Sequence, residues 1–379
     1  MTHFGIICPT ATGHLNPAIA LAKELQRRGH QVTFFQVEDA RHQVESAGLG
    51  FQVMGETEFP LGAMSKFLSH LGHLSGLAAI KYSIHWLQRS TEMILQAAPD
   101  KLKQAKIEVL IVDQVVPGGA TVAQFAKIPF ISLCCALLIN QEPSIPPFMT
   151  DWQYSTTRWA MLRNKIGYKF MAHLTKPIRE TVDKYHQQWG LPLRTSIDAG
   201  FSPLAQISQQ PPEFEFPRTT LPSSFYFTAP FDDLKTREAI DFPWSKLTGE
   251  PLIYASMGTL QNRQLEIFYC IAEACAELPV QLVISLGNQN NSIPELPGSP
   301  LIVPYAPQLE LLQKASLTIT HAGLNTVLES LRNGVPIVAI PITNDQPGVA
   351  ARLTWSGAGE FIPVAELNVF KLKSMIQHI

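Results

Sequence analysis

Charge is scarce in this sequence: Asp, Glu, Lys and Arg make up 16% of its 379 residues, and the formal net charge is −2. No basic run compensates, so the electrostatic footprint of a nucleic-acid partner is missing. Cysteine is sparse too. The five present, Cys8, Cys134, Cys135, Cys270 and Cys275, lack metal-ligand spacing, and two of them are adjacent in an apolar run. Buried thiols in a reducing compartment are therefore expected. No uninterrupted apolar segment reaches the roughly 18 residues of a membrane span. The start, Met1-Thr2-His3-Phe4, has no basic region ahead of an apolar stretch, as a secretory signal would. A cytoplasmic chain is expected, with room left for a peripheral membrane contact. Gly-x-Gly-x-x-Gly and Walker A sequences are missing, which weakens dehydrogenase and kinase readings. Asp-x-Asp is missing as well, so no carboxylate-bound metal clamp is indicated.

What is abundant is core material, at 46% hydrophobic residues, in a chain long enough for two domains. Short apolar runs alternate with amphipathic helical stretches. Residues 4–8 read as a strand, 17–28 as a helix and 31–36 as the next strand; Asn16 is placed to cap that helix, with Pro17 at its first position. Further strands are expected at 109–113, 130–134, 204–208 and 225–228. After a polar, irregular stretch at 231–250, a second series follows at 252–256, 281–285, 301–303, 317–320, 337–340 and 360–363. Doubly apolar strands alternating with helices imply parallel sheets covered on both faces. The expectation is an α/β chain of two doubly wound, Rossmann-like halves, residues 1–230 and 251–379, joined by a linker at 231–250. Ligands bind such sheets outside the carboxyl ends of the strands, so a cleft between facing halves is the expected site. The apolar helical stretch 59–98 reads as core packing, with an apolar acceptor pocket as the sharper alternative.

Three constellations carry chemistry. His14 opens the first helix after the first strand, where the helix dipole disfavours imidazolium and keeps the ring able to accept a proton. Asp113 closes the apolar run Val109-Leu110-Ile111-Val112-Asp113. A carboxylate there needs a partner, and a bond to His14 would orient the ring. Local backbone satisfaction of either residue alone is the plainer account. The second constellation runs from Thr320 to Ser330. Gly323 permits close backbone approach, the helix start suits a diphosphate, and His321 adds a donor. Thr326 and Glu329 fit a capping box, while the Glu329 carboxylate is equally suited to ribose hydroxyls. Third, Asp345 and Gln346 follow a buried strand and offer acceptors and donors to sugar hydroxyls, unless the segment is an ordinary polar loop.

Together these residues resemble the family-1 glycosyltransferases of GT-B fold, and most closely the bacterial zeaxanthin glucosyltransferase subfamily. The stretch from Tyr305-Ala306-Pro307-Gln308 to Asp345-Gln346 resembles that family's nucleotide-sugar signature. Segments such as Val112-Asp113-Gln114, Asn140-Gln141-Glu142-Pro143, the run from Pro203 to Gln210 and that from Asp345 to Arg352 extend the likeness over nearly the whole length. The resemblance implies Tyr305 stacking on the base, where many members have Trp, with Gln308 near the nucleoside and Glu329 on the ribose. It implies His321, Asn325 and Thr326 around the phosphates, with Ser256 and Thr259 in a loop beside them. Asp345 and Gln346 would hold the transferred sugar, with His14 as base and Asp113 as its partner. Members continue for several tens of residues past a helix like the one beginning near Ala365, so the second half is expected to lack its terminal helices.

The function implied is inverting transfer of a hexose, glucose foremost, from a UDP-sugar to a hydroxyl of an apolar small molecule such as a hydroxylated carotenoid. UDP-sugar is a co-substrate, and no cofactor or metal is expected. A terpenoid or macrolide-like alcohol as acceptor, a nucleotide-sugar epimerase and a non-catalytic nucleotide-sugar-binding protein are the alternatives.

Overall fold

A computed structural model describes Met1–Ile379 apart from residues 73, 75, 233–236, 238–239, 259–264 and 288–294, with the side chains of 76 and 77 also outside the description. The chain forms two compact units. Unit 1 holds Met1–Pro147, Ser155–Pro212 and Pro217–Arg237; unit 2 holds Phe148–Tyr154, Glu213–Phe216 and Glu238–Ile379.

Unit 1 runs β1 (His3–Ile7), α1 (Thr12–Arg27), β2 (Gln31–Gln36), α2 (Arg41–Ser46), β3 (Gly50–Val53), α3 (Ala63–Leu71), α4 (Gly76–Gln104), β4 (Val109–Asp113), α5 (Pro117–Ala126), β5 (Phe130–Cys134), α6 (Arg158–Leu174), α7 (Lys176–Gln188), β6 (Gln206–Ser208) and β7 (Phe225–Phe227). Its seven strands are ordered β3-β2-β1-β4-β5-β6-β7, all parallel. Adjacent residues of β1 feed opposite cores: Ile6 packs with Phe34 and Ile111, Ile7 with Phe35 and Val112. That two-sided burial is why these strands read as continuous apolar runs. In the 59–98 stretch, Phe67 stacks on Trp86 with centroids 4.3 Å apart, and Phe59 meets Trp86 edge-on at 4.9 Å. Phe59 belongs to the core and Trp86 packs against it, in line with the plainer reading of this stretch.

Unit 2 runs β8 (Leu252–Ser256), α8 (Leu265–Cys275), β9 (Gln281–Ser285), β10 (Leu301–Val303), α9 (Gln308–Leu312), β11 (Ala315–Thr320), α10 (Leu324–Arg332), β12 (Ile337–Ala339), α11 (Gln346–Trp355), β13 (Gly359–Phe361) and α12 (Val369–His378). Its parallel sheet is ordered β10-β9-β8-β11-β12-β13. Both sheets thus begin with the same doubly wound order, in which the first strand lies between the second and the fourth. Connections leave in opposite directions from β1 and β4, and again from β8 and β11; these are the positions where such sheets hold ligands.

Several boundaries differ from those expected. The first helix begins at Thr12, with Ala11 as its cap, and Pro17 lies inside it. The Ala11 carbonyl accepts from the His14 and Leu15 amides at 2.9 and 3.0 Å, closing a first turn upstream of Pro17, whose missing N–H removes only one later rung. Asn16, expected to cap, instead accepts from Gln43 Nε2 at 2.6 Å. The division at 231–250 is also too simple, because Phe148–Tyr154 and Glu213–Phe216 pack within unit 2. Phe242, assigned to a polar linker, is 5% exposed and sits in the unit 2 core beside Leu252 and Tyr254. The final helix starts at Val369, where Asn368 Oδ1 accepts from the Lys371 amide at 2.9 Å, rather than near Ala365. Among the described residues, no helix is long and apolar enough to cross a membrane.

Candidate active site

In unit 1, β4 ends at Asp113 and the chain after β1 enters α1, so Asp113 and His14 emerge at one edge of the sheet from adjacent strands. His14 Nδ1 lies 2.8 Å from Asp113 Oδ2. Asp113 is 1% exposed, whereas the His14 side chain keeps 18% of its surface open. The carboxylate also accepts from the Val115 amide at 3.0 Å on Oδ1 and from the thiol of Cys135. Three donors thus converge on one buried carboxylate, as the burial of so polar a group requires. With Nδ1 on Asp113, Nε2 is the ring nitrogen turned away from the carboxylate.

The spacing of the cysteines does not foretell the third donor. Asp113 pairs with Leu133 across the β4–β5 ladder, and Cys135 follows two residues on, so side-chain alternation returns its thiol to Asp113. Among the described residues, the ligand-capable atoms of His14, Asp113 and Cys135 form the one cluster compact enough to hold a metal ion, all within 4.8 Å of one another. Burial first, and the Asp113 charge second, push the thiol well above its ordinary pKa. A protonated thiol is a hydrogen-bond donor, not a metal ligand, and it fits Asp113 in that capacity. Cys8, Cys134, Cys270 and Cys275 are likewise unbridged.

In unit 2, His321 follows β11 and packs between two glycines. A Cβ on Gly258 would lie 2.5 Å from His321 Nε2, and one on Gly323 would lie 2.8 Å from the ring. The need for Gly323 is therefore space beside a side chain, since its backbone is ordinary (φ −62°, ψ 130°). The left-handed residue in this turn is its neighbour Ala322, at φ 66°. A buried non-glycine residue in that region is strained, and such strain concentrates at functional turns. Burial pushes the His321 ring down to a pKa of about 4, against a smaller upward pull from its bond to the Ser256 backbone. The ring is thus neutral at neutral pH. Its single N–H belongs to the Ser256 carbonyl, and its Nδ1 is also 3.2 Å from Thr320 Oγ1.

Gly323 caps α10, so Thr326 and Glu329 lie inside the helix and form no capping box. Glu329, 2% exposed, accepts from Gln308 Nε2 at 2.6 Å. The same nitrogen contacts Thr326 Oγ1 at 3.3 Å, and Gln308 Oε1 accepts from the Tyr254 hydroxyl at 3.1 Å. Gln308, Thr326 and Glu329 thus form one network. Asn325 is the second residue of α10, and the first rung of that helix, from Val327 to the Gly323 carbonyl, leaves the amides ahead of it outside the ladder. Tyr305 is half-buried in the turn before α9, where burial raises its hydroxyl pKa. Ser256 ends β8 and accepts weakly from the Gly258 amide at 3.4 Å. Thr259 lies outside the described residues. Asp345 is the cap residue of α11, next to Asn344 at φ 56°. Gln346 Oε1 accepts from the Ile342 and Thr343 amides, both at 2.8 Å, so only its NH₂ remains for a ligand.

Sequence reasoning also missed a buried amide cluster in unit 1. Gln114 Nε2 donates to Asn140 Oδ1 at 3.0 Å, and Asn140 Nδ2 donates to Gln206 Oε1 at 3.1 Å. Three of the segments that carried the resemblance meet there, fixing the loop after Asp113.

Comparison with known proteins gives the family and the fold. The sequence model of the UDP-glucoronosyl and UDP-glucosyl transferase family matches residues 6–379. The zeaxanthin glucosyltransferase of Pantoea ananas is 35% identical over 364 residues, covering 95% of this chain and 84% of that protein. The zeaxanthin glucosyltransferase of Pseudescherichia vulneris is 33% identical, covering 95% of this chain and 86% of that one. Among solved structures, the glycotransferase of kitacinnamycin superposes with a TM-score of 0.75 at 20% identity, covering 100% of this chain and 90% of its own, a likeness of fold.

Proposed function

Because this chain belongs to the UDP-glucoronosyl and UDP-glucosyl transferase family, and is a glycosyltransferase of GT-B fold, we propose that it transfers glucose from UDP-glucose, with inversion, to a hydroxyl of a carotenoid such as zeaxanthin. The observation that carries the mechanism is the His14–Asp113 pair at 2.8 Å. His14 Nε2 takes the proton of the acceptor hydroxyl as its oxygen attacks the anomeric carbon, and the bond from that carbon to UDP breaks. Asp113 stabilises the imidazolium so formed.

Unit 2 receives the donor. Tyr305 stacks on the base, while Gln308 and Glu329 meet the nucleoside and ribose. The start of α10, with Asn325, Thr326 and the turn through His321 and Ser256, takes the diphosphate. Asp345 and the Gln346 amide hold the sugar. The helix start and neighbouring donors supply the charge stabilisation of the leaving group, so the reading requires no metal ion. The names of the two relatives support the carotenoid acceptor, and the apolar composition is compatible with it.

The test is incubation of the chain with UDP-glucose and zeaxanthin, reading glucosylated product by mass spectrometry and UDP release in parallel. His14→Ala is expected to lower turnover about 10²- to 10⁴-fold with UDP binding retained. Undiminished turnover in that variant would remove His14 from the chemistry, and UDP binding without product from any lipophilic alcohol would favour a binding protein.

A further inference from the structure

Helix α6 carries an outer face that glycosyl transfer does not use. Its inner face is anchored: Asn164 Nδ2 donates to the Pro143 carbonyl at 3.0 Å, and the Tyr168 hydroxyl to the Ile145 carbonyl at 2.9 Å. Thr157 caps its start by accepting from the Ala160 amide at 3.3 Å. Outward, Trp159, Leu162, Ile166 and Phe170 follow one another at spacings of three, four and four, which at 3.6 residues per turn is a single stripe. They are 81%, 48%, 59% and 55% exposed. A lone exposed apolar residue is ordinary, but a continuous stripe of four, with an almost bare indole, marks a contact surface.

The charge beside the stripe identifies the partner. From Arg158 to Arg179 the chain carries Arg158, Arg163, Lys165, Lys169, Lys176 and Arg179 and no Asp or Glu, in a protein of net charge −2. Arg158, Lys165 and Lys169 lie along one edge of the stripe and are exposed, with no ion pair among the described residues; Lys176 pairs with Glu180 at 3.3 Å. Below this edge, Lys165 and Lys169 line a groove of about 500 Å³ with Leu162, Ile166 and Ile197. The carboxylates in that groove are committed to protein donors. Glu142 accepts from the Thr219 and Thr220 amides, and Asp198 from the Gln141 amide at 3.3 Å.

A helix that presents an aromatic apolar stripe with a cationic margin fits the boundary between the head groups and acyl chains of an anionic bilayer. We propose that the outer face of α6 docks this enzyme on anionic phospholipid membrane, with Trp159 and Phe170 inserted and Lys165 and Lys169 at the phosphates. The inference goes beyond the transfer reaction and does not depend on it.

Co-sedimentation of the full chain with vesicles of phosphatidylcholine, alone or mixed with phosphatidylglycerol, tests it. The parent chain is expected to pellet with the anionic vesicles and to be released as salt rises. Lys165→Gln combined with Lys169→Gln should weaken partitioning about 25-fold, at about fivefold per cationic side chain. Trp159→Ser with Phe170→Ser should weaken it at least about tenfold. All four positions are exposed, so unchanged melting temperature and UDP affinity serve as the folding control. Failure of the parent to bind anionic vesicles, or equal binding by both double variants, would overturn the proposal. So would a concentration-dependent dimer that the Trp159→Ser, Phe170→Ser variant abolishes, since a second copy would then be the occupant.

Discussion

Asp113 serves three donors at once: His14, the Val115 amide and the Cys135 thiol. The first belongs to the proposed chemistry and the second to the local turn. The third, a thiol donating to Asp113, satisfies a buried acceptor that orients His14. Replacing Cys135 with Ala should leave the buried carboxylate one donor short and loosen its hold on the His14 ring. kcat itself should fall roughly three- to tenfold, with KM for UDP-glucose unchanged. Cys135→Ser, which restores a donor, should recover most of the loss. An undiminished kcat in Cys135→Ala, or no recovery in Cys135→Ser, would reduce this thiol to packing.

At the scale of elements, the unit 2 helix α11 is tied to a distant piece of chain by a buried ion pair. Arg352 and Glu215 are each 1% exposed, and Arg352 donates to Glu215 Oε1 from Nε at 2.9 Å and from an Nη at 2.6 Å. The guanidinium also donates to the Gly348 carbonyl at 3.0 Å and lies 4.4 Å from the Phe216 ring centroid. Arg352→Met should destabilise the protein by roughly 3–5 kcal/mol in urea unfolding, because it leaves Glu215 charged and buried. Pairing it with Glu215→Leu should restore most of that. A double variant no better than the single would mean the packing around the pair, not the loss of the ion pair, sets the effect. The pair also explains why the domain boundary was hard to read: its partners are 137 residues apart, and no local pattern links them. Elements themselves were far more legible. Every strand expected from an apolar run is present, most plainly those buried on both faces such as β8, while β3, half-buried and exposed in alternation, was not expected. Helix ends were less so. Asn16-Pro17 has the residue types of a cap and first turn, yet the Ala11 carbonyl had already closed the turn upstream. In the Ala322-Gly323 pair, the glycine drew attention while the alanine took the left-handed angles.

For the whole molecule, the pairing of His14 with Asp113 could be anticipated because the winding of the sheet brings the ends of β1 and β4 together. What depended on side-chain packing, such as the Gln308–Glu329 bond or the enclosure of His321 by two glycines, had no signature in residue order. That packing leaves each unit with a neutral histidine, His186 buried and His321 half-buried. His186 of unit 1 is 1% exposed, with Nε2 3.0 Å from Thr121 Oγ1 and Nδ1 2.6 Å from the Pro192 carbonyl. Burial lowers its pKa from the ordinary 6.5, and lowers that of His321 to about 4. In both, the unfolded chain binds the proton more readily than the folded one. The stability these rings contribute is therefore complete above pH 6.5 and lost as pH falls toward the folded values; for His321 alone the loss reaches about 3 kcal/mol near pH 4. Urea unfolding midpoints should fall between about pH 6.5 and pH 5, before ordinary carboxylates titrate. His321→Gln should flatten part of that slope and His186→Gln a further part. A slope unchanged in both variants would mean that neither imidazole is held neutral by the fold.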